Sequence, residues 1–471
     1  MIAGVSDSNG TRRSFPQSFV WGTATSAYQI EGAVRADGRG RSVWDSFCAV
    51  PGRVANGDSG AVACDHYNRM EDDVALLGDL DMRAYRFSIA WPRVMPRGAG
   101  DVNGAGLGFY DRLVDRLLAR NIMPIATLYH WDLPEPLEQA GGWASRDTAL
   151  RFVDYASRCY EVLADRVPVV STFNEPWCAA YLGYAAGLHA PGRRNAADSI
   201  RAAHHQLLAH GLAIQAMRAI RADRSLGIVL NPAPVAGPPE PSAKDRDVVR
   251  RVDGLLNRWW LDALLTATYP ADVIDDIGAS MESSLIDGLV RDGDLATIAQ
   301  PIDHLGVNYY RRMDMRARRS DEPRSPAVFP TCLDATEAEF DADVTDLGWP
   351  IDPTGLRDLL VGMDRTYTNL PPVYVTENGA AYDDPLRADG SIDDARRIAY
   401  IRGHLRAVAD AIADGVDVRG YLAWSFFDNF EWHSGYEMRF GLVHVDFDTL
   451  VRTPRASAYW FRDVMRANAV D

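Results

Sequence analysis

Eight short apolar runs, separated by helix-forming stretches, constrain this chain more than any other feature of its 471 residues. They are Phe19–Ala24, Ala84–Trp91, Met123–His130, Val169–Phe173, Leu226–Leu230, His304–Tyr310, Val373–Thr376 and Val418–Ser425. Each reads as a mostly apolar strand, with no regular alternation of buried and solvated faces. Between them lie amphipathic segments. Gly106–Arg120 puts Leu107, Tyr110, Leu113, Val114 and Leu117 at helical spacing, and Asp393–Asp414 does the same with Ile398, Ile401, Leu405, Val408 and Ile412. Ile200–Ala222, rich in Ala, Leu and His, reads as a third helix. Strands covered on both faces and alternating with helices predict a parallel sheet, and eight such units predict a closed (β/α)8 TIM barrel. The competing doubly wound open sheet lacks support, because no G-x-G-x-x-G follows the first strand. Residues 1–471 read as a single domain, since the alternation resumes after both long proline-bearing loops, Pro232–Ser242 and Arg316–Asp346. Each loop follows a strand, which predicts long loops on the C-terminal face of the barrel.

Chemistry on such a barrel sits where strands end. Glu377 ends the run Val373-Tyr374-Val375-Thr376 and precedes Asn378-Gly379, a turn signal. Glu175 ends another run through Asn174 and precedes Pro176, which has no backbone donor. Two carboxylates at two strand ends can serve as acid and nucleophile on a glycosidic bond. Other strand ends carry Gln29, His130-Trp131-Asp132, Asn308, Tyr310, Trp424 and Glu431-Trp432. Amides, an imidazole, carboxylates and indoles at one mouth suit a sugar, whose hydroxyls need paired donors and acceptors and whose ring faces stack on aromatics. Nothing in the set suits a phosphate cradle or a metal ion, so neither cofactor nor metal is expected. The net charge of −16 disfavours nucleic acid and anionic lipid as partners, and no apolar run is long enough to span a membrane. Five cysteines without CxxC spacing argue against a disulfide framework or a zinc site. With a polar Met1–Ser14 that lacks an apolar signal core, they predict a reducing, cytoplasmic setting.

The sequence resembles family 1 of the glycoside hydrolases, the β-glucosidase family, from about Phe15 to Phe461. The stretches that carry the resemblance are Phe19–Gly32, Tyr85–Arg93, Thr127–Pro134, Thr172-Phe173-Asn174-Glu175-Pro176, Val375-Thr376-Glu377-Asn378-Gly379, Asp428-Asn429-Phe430-Glu431-Trp432 and Arg439-Phe440-Gly441-Leu442. The resemblance implies a retaining β-glucosidase with Glu377 as nucleophile and Glu175 as acid and base. It implies Arg86 and Tyr310 as supports of the nucleophile and Asn174 on the sugar 2-hydroxyl. Gln29, His130, Glu431 and Trp432 would take the other hydroxyls, with Trp424 as the floor under the ring. Trp349 would face the leaving group, and Trp131, Asn308 and Phe440 would complete the substrate-binding set. An ionised Glu431, an acceptor only, would take two sugar hydroxyls and repel a 6-phosphate. The implied partners are small β-glycosides or short oligosaccharides, and the oligomeric state is open. A β-galactosidase or β-fucosidase, a 6-phospho-β-glucosidase or a transglycosylase of the same family stand as alternatives. A catalytically dead sugar-binding barrel is the alternative from another class, but such relatives lose a glutamate and this chain keeps both. The departures are Asn121 where the family often has glycine, Trp259-Trp260 where phenylalanine is frequent, and the proline-rich loop after Leu230.

Overall fold

The computed structural model describes residues 12–322, 328–339 and 342–471. Most of the Met1–Ser14 segment and part of the Arg316–Asp346 loop, both singled out in the sequence, therefore lie outside the described residues. Eight strands close a barrel: β1 Val20–Ala24, β2 Ala84–Ser88, β3 Met123–Tyr129, β4 Val169–Asn174, β5 Ser225–Leu230, β6 His304–Asn308, β7 Val373–Asn378 and β8 Val418–Trp424. All eight pairings are parallel, and β8 returns to β1 with Trp424 opposite Ala24. Helices on the outside include α1 His66–Asp79, α2 Gly104–Ala119, α3 Arg146–Leu163, α4 Ala196–Ile220, α5 Trp259–Thr266, α6 Pro353–Thr366, α7 Ala395–Ala413 and α8 Ala456–Ala467. This is the (β/α)8 architecture that the apolar runs predict. The predicted faces are the buried ones. Leu107, Tyr110, Leu113, Val114 and Leu117 of α2 are all buried, whereas on α7 the seam centres on Ile401, Leu405 and Val408, with Ile398 and Ile412 half-buried at its margins.

Inside the barrel a small apolar cluster of Ala24, Ala84, Ile125, Val169 and Leu422 underlies Trp424 and Phe440. The chemistry above it therefore stands on a filled, rigid base. Two local expectations are corrected. Asn378-Gly379 is not a turn, because β7 runs on through Asn378. The Asn378 amide donates to the Tyr309 carbonyl at 2.7 Å and its oxygen accepts from Tyr421 at 2.6 Å, which locks β6 and β8 to β7. Gly379 is required by a close approach, since a Cβ there would stand 1.8 Å from the Trp424 carbonyl oxygen. The two long loops, in turn, are not structureless. Val235–Ala236, Met313–Ala317 and Ala335–Glu337 pair into a three-stranded sheet over the barrel mouth. Asn121 sits at φ 57°, a left-handed conformation that asparagine tolerates better than most residues, which explains why it can replace glycine there.

The segment after β8 is anchored by a buried ion pair. Asp428 accepts from Arg455 at 2.9 and 2.8 Å and from Arg439 at 3.0 Å, and both Asp428 and Arg455 are fully buried. Removing Arg455 takes away the fully buried cation and two of the three arginine hydrogen bonds, leaving Asp428 only the half-buried Arg439. Arg455→Ala should therefore cost about 3–5 kcal/mol of stability, read as a lowered denaturation midpoint. A loss below about 1 kcal/mol, the range of surface pairs, would show that the pair is not an anchor.

Candidate active site

Glu377 is the penultimate residue of β7 and is 3% exposed. Its Oε1 accepts from Arg86 Nη1 at 2.6 Å and its Oε2 from Tyr310 Oη at 2.7 Å. Arg86, on β2 and itself buried, spends Nη2 on Asn174 Oδ1 at 2.7 Å. The barrel therefore delivers one cation to the site, shared between the carboxylate and an amide. Glu175 follows β4, where its backbone N–H still donates to the Val229 carbonyl, but it sits at φ 42°. That left-handed conformation turns its side chain out of the strand register at the moment the strand ends. Its Oε1 accepts from Asn308 Nδ2 at 2.6 Å and its Oε2 from the Cys178 thiol at 3.0 Å. Asn308 is in turn held through Thr376, which donates to its Oδ1 at 2.7 Å.

The two carboxyls thus have different environments. Burial, then the charge of Glu377, raises Glu175 to about 7. Burial also raises Glu377, but Arg86 and the Tyr310 hydroxyl pull it back. Two close carboxyls share one field, and the one with the cation keeps its charge while the other keeps a proton. His130 is held neutral by burial, with Arg86 adding to the effect.

A cavity of about 550 Å³ opens beside these groups. Among the residues expected at the site, His130, Trp131, Glu175, Asn308, Tyr310, Trp349, Glu377, Trp424, Glu431, Trp432 and Phe440 line it. Tyr310, Trp349 and Phe440 stand together on one wall, with ring centroids 5.6 to 6.4 Å apart. Trp131 and Trp432 lie 4.6 Å apart, and Trp432 packs on Trp44 at 4.5 Å and parallel to Tyr28 at 6.2 Å. Gln29, Asn174 and Arg86 are not part of the lining; they form the layer beneath it. Gln29 donates to Asn429 Oδ1 at 2.8 Å, the Phe430 carbonyl at 2.9 Å and Glu431 Oε2 at 3.4 Å, while its own oxygen accepts from Ser26. Asn174 Oδ1 is filled by Arg86 and Asn308, and its Nδ2 lies 3.2 Å from His130 Nε2.

Glu431 differs from its expected state. Among the described residues its one side-chain hydrogen bond is the long one from Gln29, and it has no cationic partner. Burial, then the charges of Glu377 and Glu175, raises it to about 8. Burial and the two neighbouring carboxyls thus favour its protonated form in the free protein, whereas the sequence suggests an ionised acceptor. Glu31 and Asp132, which also lie near strand ends, have other duties or none here. Glu31 is tied to Arg93 and Tyr110 at 2.8 and 2.6 Å, and Asp132 is buried with burial raising it to about 8. Among the described residues no group of three or more His, Cys, Asp or Glu is placed to hold a metal ion.

The sequence reading missed several contributors. Cys178, three residues after Glu175 and at the start of a π-helical segment Cys178–Ala186, offers a spacing clue only once Glu175 is singled out. Trp131 at φ 74° and Trp432 at φ 54° share the left-handed region with Glu175. No glycine marks these positions, so the sequence singles out the three side chains but not their backbone conformation. His189, paired with His433 at 3.2 Å, and the apolar residues of the three-stranded sheet also line the cavity.

Comparisons with known proteins agree with this geometry. The family model described as glycosyl hydrolase family 1 matches residues 11–470. A thermostable beta-glucosidase B of Thermobispora bispora is 48% identical, the alignment covering 99% of this chain and 94% of the relative. The crystal structure of a psychrophilic beta-glucosidase from Micrococcus antarcticus superposes with a TM-score of 0.92 at 44% identity, covering 97% of this chain and 98% of that one. A family 1 beta-glucosidase from Thermotoga maritima, solved in complex with isofagomine lactam, gives 0.90 at 39% identity, covering 98% and 100%. Two carboxyls at the ends of β4 and β7, on a barrel matched along nearly its whole length, place the chain without ambiguity: it belongs to glycosyl hydrolase family 1.

Proposed function

We propose that the chain, read as one catalytic barrel domain, is a retaining β-glucosidase that removes terminal non-reducing β-D-glucosyl residues from small β-glucosides or short oligosaccharides. The observation that carries this reading is the asymmetry of the two glutamates. Glu377 has a buried arginine and a tyrosine hydroxyl on its oxygens, whereas Glu175 has an amide and a thiol and is raised to about 7. Glu377 attacks the anomeric carbon as the glycosidic C–O bond breaks, and Glu175 gives its proton to the departing oxygen. Glu175, now a carboxylate, takes a proton from water, which attacks the same carbon and releases Glu377. Arg86 and Tyr310 position the nucleophile and Asn308 positions the acid. His130, Glu431 and Trp432 receive the hydroxyls, with Gln29 and Asn174 holding Glu431 and His130 from the layer beneath. Trp424 is the floor under the ring, Trp131 and Phe440 close its sides and Trp349 meets the leaving group. All five cysteines are free, which supports a reducing, cytoplasmic setting.

Among the described residues lining the cavity, a 6-phosphate finds no free lysine or arginine: Arg311 is the one present, and it is paired with Glu337 at 2.8 Å. Near Glu431 a phosphate dianion would meet three carboxyl groups instead. A panel of aryl β-glycosides, with and without 6-phosphate, tests the assignment: glucosides should be cleaved and their 6-phosphates little or not at all. A preference for the phosphorylated set would overturn it. Binding of the sugar 4- and 6-hydroxyls to Glu431 favours its ionised form. Glu431→Ser should therefore lower the glucoside-to-fucoside ratio of kcat/KM by about tenfold, since β-D-fucose lacks the 6-hydroxyl. An unchanged ratio would remove Glu431 from that contact.

A further inference from the structure

The cavity changes character beyond Glu175. Because the acid protonates the departing oxygen, the leaving group has to lie against Glu175, a placement that rests on the functional reading above. The side chains around that position are apolar. Trp177 stands two residues beyond Glu175, past Pro176, and Phe329 packs on it with ring centroids 5.6 Å apart. Met313 and Met315, from the central strand of the three-stranded sheet, continue the same wall. At its rim Leu333 is 59% exposed, a large apolar side chain left in water beside an apolar surface.

Among the described residues, the polar side chains on this side are few and mostly committed. Arg311 and Glu337 hold each other at 2.8 Å, and the Arg311 guanidinium lies 5.6 Å from the centre of the Trp349 ring. The Asn231 amide is turned to the Cys178 sulfur at 3.7 Å, and Thr336 adds one hydroxyl. A second sugar would bring several hydroxyls here and strip their water without supplying partners, which is costly for each one left unmet. A hydrocarbon group makes no such demand and gains by every apolar surface it covers.

We propose that the preferred leaving groups are bulky apolar alcohols, alkyl or fused-ring, and not a second sugar. The wall that selects them is built from Trp177, Phe329, Met313, Met315 and Leu333, which brings the two long loops into substrate choice. The test compares methyl, butyl, hexyl and octyl β-D-glucosides with cellobiose on the intact protein. Simple alkanols leave less readily than a sugar hydroxyl, so intrinsic reactivity opposes the expected order. The expected result is a kcat/KM that rises about two- to fourfold per added methylene before levelling off, with octyl glucoside above cellobiose by about tenfold or more. Leu333→Asn, an exposed position where folding is not at stake, should lower the octyl-to-cellobiose ratio by about fivefold. A ratio that favours cellobiose, or one that Leu333→Asn leaves unchanged, overturns the proposal while the β-glucosidase reading stands. Failure to cleave any β-glucoside overturns that reading and this one with it.

Discussion

Glu377→Ala is expected to lower turnover of every β-glucoside by at least about 10⁵-fold, because no covalent intermediate can form without its carboxylate. No neighbour can take its place. Glu175 is held by Asn308 and Cys178, and Glu431, raised by burial and its neighbouring carboxyls, has no arginine to hold it ionised as Glu377 has. The lost volume leaves room for a small anion beside the anomeric carbon. Added azide should restore product formation from an activated aryl β-glucoside, and a single displacement must invert the centre, so the product should be the α-glucosyl azide. Retained activity in the variant, or a β-glucosyl azide, would move the nucleophile elsewhere. Arg86 and Tyr310 would then hold a carboxylate with no chemical duty.

Glu175→Gln should show a different pattern, one that depends on the leaving group. Glycosides of acidic phenols need little protonation, so their first step should survive, while alkyl glucosides should lose about 10²–10⁴-fold, the range of general acid catalysis. The second step should slow for all substrates, because water has lost its base, and a burst of phenol should precede slow turnover. The pH profile supplies an independent reading. In the unaltered protein Glu175 must carry a proton to act, and burial with Glu377 nearby raises it to about 7. As pH rises through that value the acid is lost, so kcat/KM should fall on the alkaline side with a midpoint near 7. The variant should lack that limb for acidic phenols. Equal losses for all leaving groups, with the alkaline limb intact, would show that Glu175 is not the acid.

The barrel was legible because its strands are buried on both faces and therefore mostly apolar, and because α2 and α7 keep helical periodicity between them. The glutamate pair was legible for the same reason, since each ends such a run. What stayed hidden depends on contacts between distant segments. Asn378-Gly379 carries the signature of a turn, yet Gly379 is there because the Trp424 carbonyl passes too close for a Cβ. The sheet over the mouth joins segments some eighty residues apart through strands as short as two residues, amid prolines that read as loop. Glu431 sits in a legible motif, but its protonation is set by burial and by two carboxyls from other strands. The left-handed backbone at Trp131, Glu175 and Trp432 leaves no trace in residue type, because the strain is carried by large side chains and not by glycine.

In the proposed mechanism two unlike carboxyls at the ends of β4 and β7 act in turn on one carbon. The most direct test is proton NMR of the first sugar released from an aryl β-glucoside, recorded before mutarotation. Two displacements predict β-glucose as the first-formed anomer. Appearance of α-glucose first would mean a single displacement by water and would contradict the account.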